Sequence, residues 1–166
     1  MQAFAATANT VGLSYEYAAS ALTTLRDVTQ QSASTIGNSL KTIFARLSSL
    51  KLGETLEDGV SLTKYTKALE AVGVEVLDAS GELKAMDDIL DDLAEHWGEL
   101  SRSQKDALAQ TVGGVRQYNN LISLMDNYER FQELVQDAYD STGYLDTQAE
   151  KYADSWEGAS NRVRAA

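Results

Sequence analysis

The chain has 166 residues, no cysteine and no proline, and its 14 Lys or Arg against 25 Asp or Glu leave a net charge of −11. No cysteine means no disulfide framework, thiolate metal site or cysteine nucleophile, and an acidic field repels nucleic-acid backbones. No run nears the roughly 18 apolar residues of a membrane span, and average usage of about 5% would give roughly eight prolines, so their absence favours helix.

The opening Met1-Gln2-Ala3-Phe4 has no basic region of the kind that starts a signal peptide. A short helix is predicted over Gln2–Thr10, interrupted by Gly12. Ser14 is placed to cap a second helix, whose apolar face is Ala18, Ala21, Leu22, Leu25 and Val28. Polar residues 30–34 end it. Ser34 or Thr35 then starts a third helix, with Ile36, Leu40, Ile43, Phe44, Leu47 and Leu50 as the most regular apolar stripe in the chain. Residues 51–61, with Gly53, Gly59 and three acids, read as an exposed, flexible loop.

Leu62–Val72 is predicted helical and stopped by Gly73 in a left-handed C-cap. From Val74 to Lys84 the apolar period changes. Alternating apolar residues, an Asp78-to-Gly81 turn and an apolar return predict a small β-hairpin. A helix from Ala85 or Met86 to Gly98 turns Met86, Ile89, Leu90, Leu93 and Trp97 inward. Ser101 and Gln104 fit a capping box for the next helix, which runs to about Val112. Gly113-Gly114 breaks or bends the chain, since two glycines cost about 2 kcal/mol in a helix interior. Helices are predicted again over Val115–Met125, over Asn127–Ser141, and beyond Gly143 as a helical extension, 144–166, with Leu145, Ala149, Tyr152, Ala153 and Trp156 at helical spacing. The last residues carry no cap or glycine stop, which suggests a fragment of a longer chain. The expected fold is mainly α: one helical domain over 1–166, a multi-helix bundle with a single small β-hairpin insert near residues 74–84. Glycines punctuate the pattern too often for an unbroken coiled coil.

The candidate chemical groups are weak. Asp87, Asp91 and Glu95 lie at i, i+4 and i+8, with Asp88 and Asp92 in a neighbouring row. A solvated face explains them. A carboxylate metal site in a bundle wants Glu-x-x-His pairs, and three residues before the sole histidine, His96, stands Leu93. Asp78-Ala79-Ser80-Gly81 lacks the spacing of a calcium loop and reads as a turn. Gly113-Gly114-Val115-Arg116 lacks the Walker lysine and a preceding strand, so it reads as a tight joint between helices. His96 reads as a surface or capping residue. No catalytic, cofactor-binding or metal residue is assigned. The structural signature is Gly12, Gly37, Gly73, Asp78, Gly81, Gly113, Gly114 and Arg116.

Three segments, together spanning about 10–150, carry a resemblance. They are Gly12–Leu22 with Ser34–Leu47, then Lys67–Val76 with Asp78–Leu83 and Asp88–Leu90, then Leu100–Gln104 with Val112–Arg116 and Leu121–Met125. In order and spacing they resemble the core region of phage tail tape measure proteins. One departure is Val112 before Gly113, where an aromatic is expected. The resemblance implies a non-enzymatic virion protein of phage or prophage origin that sets tail length. It implies synthesis in the host bacterial cytoplasm and residence in the tail tube lumen. Implied partners are further copies of itself, the tail tube protein, tail assembly chaperones and tail-tip proteins. Some members contact the host envelope. A helical chain can encode length because it rises 1.5 Å per residue, but the glycine breaks here predict a packed module within a ruler. The readings set against it are a helical adaptor unrelated to phage and, more remotely, a cell-wall hydrolase.

Overall fold

Four helices begin where a serine hydroxyl satisfies free backbone donors. In the computed structural model, which describes residues 12–141, Ser14 caps α1 (Tyr15–Thr29) by accepting from the Tyr17 amide. Ser32 caps α2 (Ala33–Lys51) by accepting from Thr35. Ser61 caps α3 (Leu62–Glu70). Ala85 precedes α4 (Met86–Trp97) with no side-chain cap. Ser101 and Gln104 form a complete capping box on α5 (Arg102–Gly113). α6 is Tyr118–Asp126, and residues 128–141 form α7. The expected helices over Gln2–Thr10 and beyond Gly143 lie outside the described residues.

The fold is mainly helical, with no sheet among the described residues. The hairpin expected near 74–84 is therefore a misreading of a tighter structure. Val74 and Val76 do alternate inward, both fully buried. Yet only Leu77 and Leu83 form an antiparallel bridge. The reason is length. Glu82 accepts from the Asp78 amide at 2.8 Å, Lys84 donates to Val76 at 2.9 Å, and Ala85 already ends the segment as the residue before α4. The return arm is too short for a ladder.

Three boundaries also differ from expectation. α2 starts at Ala33, not Ser34 or Thr35, because Gln30 takes a left-handed conformation that ends α1 and frees Ser32 to cap. α3 ends at Glu70, where Gly73 donates to Glu70 and Val74 to Leu69 at 3.0 Å each, the paired bonds of a Schellman stop. After Gly114 the chain turns for three residues before α6 begins at Tyr118.

α5 and α6 form the centre. α5 packs against α2, α3 and α6, while α6 packs against α1, α4 and α5; α1 also lies on α2. One continuous core results. All six apolar residues of the α2 stripe are buried within it, each contributing about 1.5–3 kcal/mol relative to exposure. Phe131 of α7 reaches the same core and meets the Tyr17 ring edge-on at 4.7 Å.

Candidate functional site

The Gly113-Gly114 joint is the most constructed polar feature. Gly113 closes α5 and lies against Leu121 of α6; Gly114 follows at φ 87°, ψ 157°, a region essentially closed to side-chain-bearing residues. A Cβ at Gly114 would sit 3.1 Å from Nη1 of Arg46. The reason for that close approach is the arginine itself. Its Nη2 donates to the Thr111 carbonyl at 2.9 Å, near the open C-terminal end of α5, and its Nη1 pairs with Asp58 at 2.9 Å. Guanidinium charge at a helix C-terminus complements the helix dipole. Arg46 thus ties α2, the 51–61 loop and the end of α5 together. Beside it opens a cleft of about 420 Å³ lined by Thr42, Glu57, Val115, Arg116 and Gln117. Buried nearby in α3, Tyr65 has its phenol pushed up by burial, which the Arg46 charge opposes.

A second polar group crosses the bundle. The Tyr128 hydroxyl donates to Asp91 of α4, which also accepts from Gln132 at 2.6 Å. Tyr128 has one hydroxyl proton, so Tyr17, 2.9 Å away, donates to it. Burial pushes both phenols well above their usual range. Burial also raises the Asp91 carboxyl, helped by Asp87 and Asp88 and opposed by the Tyr128 hydroxyl. The acidic row is thus not purely a solvent face: Asp91 ties α4 to α7 and, through Tyr128, to Tyr17 of α1, and Asp92 pairs with Lys84 at 3.2 Å.

The signature residues separate into local groups. Gly113, Gly114 and Arg116 come together at the cleft. Gly73 lies under the His96 ring, whose Nδ1 donates to the Asp92 carbonyl at 3.0 Å. Asp78 and Gly81 share the turn, where the Asp78 carboxylate accepts from Ser80 and Glu82. Gly12 faces Ala85, and Gly37 has nothing near it. Among the described residues, no group of His, Asp and Glu is arranged to hold a metal ion. Sequence reasoning passed over Arg46, Asp58 and the Tyr17–Tyr128–Asp91 chain. The only signal was a lone arginine beside the α2 stripe.

These features hold helices together, and the comparison with known families agrees with that reading. Residues 1–114 match the family described as phage-related minor tail protein. The chain belongs to that family. Membership gives it a structural role in the phage tail, as a virion component. The family match stops at Gly114, the joint itself, while the core of this minor tail protein continues through α6 and α7. No solved structure matches the chain. No helix among its described residues is long and apolar enough to cross a membrane.

Proposed function

We propose that this chain is a module of a tail tape measure protein, non-enzymatic, which helps set tail length during assembly and occupies the tube lumen. Membership of the minor tail family is the observation that carries the reading. The order of its helix stops supports it: the Ser14 cap, the Gly73 stop, the Asp78–Gly81 turn, the Ser101 capping box and the Gly114 break follow one another as the tape measure resemblance requires. Its partners would be further copies of itself, the tube protein, assembly chaperones and tail-tip proteins.

Gene disruption tests this. A phage lacking the full gene product should make no tails of uniform length, and purified wild-type tails should contain the protein. Normal tails of unchanged length in the disrupted phage would overturn the proposal.

A further inference from the structure

The first and last described helices of the bundle meet. Ser14, which caps the first described helix, is hydrogen-bonded through its Oγ to the hydroxyl of Tyr139, near the end of α7, at 2.5 Å. The closure continues inward. Tyr17 contacts Tyr128 and Phe131, and Asp27, late in α1, pairs with Arg130, early in α7, at 3.8 Å. Contacts from both ends of α1 thus reach α7: Ser14 meets its late part, and Tyr17 and Asp27 meet its early part, so the two helices lie against each other. The closure is held by the core, since Tyr17, Tyr128, Phe131 and Val135 are all buried.

Length follows from this geometry. As a continuous helix, the path from Ser14 to Tyr139 would cover about 190 Å. In the fold those side chains touch. We infer that the module stays closed in the assembled tail, as a bead on the ruler that adds width but almost none of the length its residue count would encode. This rests on the tape measure reading and states how one part of the ruler is read: tail length would track the residues outside the bead.

These 166 residues contain no cysteine, so an introduced pair supplies their only thiols. Tyr15→Cys with Tyr139→Cys, both exposed positions, would be placed in the full gene product and treated with a short bis-maleimide, with linked peptides read by mass spectrometry. Asp27→Cys with Arg130→Cys is a second pair across the same helices, which leaves the Ser14–Tyr139 bond intact. The expected result is the same intramolecular link, for either pair, in the free protein and in purified tails. A link in the free protein but none in tails, with both cysteines still taking a mono-functional maleimide, would overturn closure and leave the tape measure reading standing. Absence of the protein from tails would overturn both.

Discussion

At the residue scale, two glycines of the signature have opposite meanings. Gly114 holds a conformation that other residues avoid, and a side chain there would push on Arg46. Gly114→Ala should cost about 1–3 kcal/mol, read as a lower urea midpoint with an unchanged slope. Gly37 sits inside α2 with open space around it. Gly37→Ala should stabilise by about 0.5–1 kcal/mol, through helix propensity alone. An unchanged or higher midpoint for Gly114→Ala would show the steric account of Gly114 to be wrong, and a lower one for Gly37→Ala would do the same for the propensity account. The turn offers a pH test. The Ser80 hydroxyl first, then the Glu82 amide, hold the Asp78 carboxyl below its usual range. The unfolded chain therefore takes up the proton before the folded one does. Stability from this group is present above the unfolded value of about 3.9 and is lost as pH falls through the lower folded value. The gap between wild type and Asp78→Asn should be constant above about pH 5 and close at lower pH. A gap that persisted in acid would place the effect elsewhere than the carboxylate charge.

At the scale of elements, some helix ends were readable and helix partnerships were not. Ser14, Ser101 and Gln104 act through neighbours three residues away, so their caps follow from local spacing. The Tyr17–Tyr128–Asp91 chain joins residues far apart in sequence, and no local pattern encodes it. The same holds for the Trp97 indole, which donates to Asp126 at 2.7 Å while Lys105 lies over its ring. Tyr128→Phe removes the central hydroxyl and leaves the buried Tyr17 hydroxyl without its acceptor. It should cost about 1–3 kcal/mol. Combined with Tyr17→Phe, the loss should fall short of the sum, because the two act in one network. Strict additivity in a double-mutant cycle would show that the hydroxyls are energetically independent.

For the whole molecule, the family match and the folding unit have different limits. The match ends at Gly114, yet Leu121, Leu124, Met125 and Phe131 complete the core beyond it. A fragment of residues 1–114 should therefore lack a cooperative melt, and the 166-residue chain should show a single transition. A sharp transition in the fragment would mean that α6 and α7 are an addition to an already stable core. Periodicity alone determined that the described chain is mainly helical and which face α2 buries: all six residues chosen for its stripe are in the core, whereas Val28, placed on the inward face of α1 by the same reading, is exposed. Apolar spacing and capping hydroxyls are local, so they survive in the sequence. The same reading erred at 74–84, where alternation suggested a hairpin. A strand pair needs two arms of sufficient length, and the start of α4 leaves the second too short. Only the tertiary structure decided that Arg46 clamps the end of α5, that Asp91 is a helix-to-helix acceptor, and that Ser14 and Tyr139 meet. Each of these depends on which helices become neighbours, and that is set by packing the whole core at once.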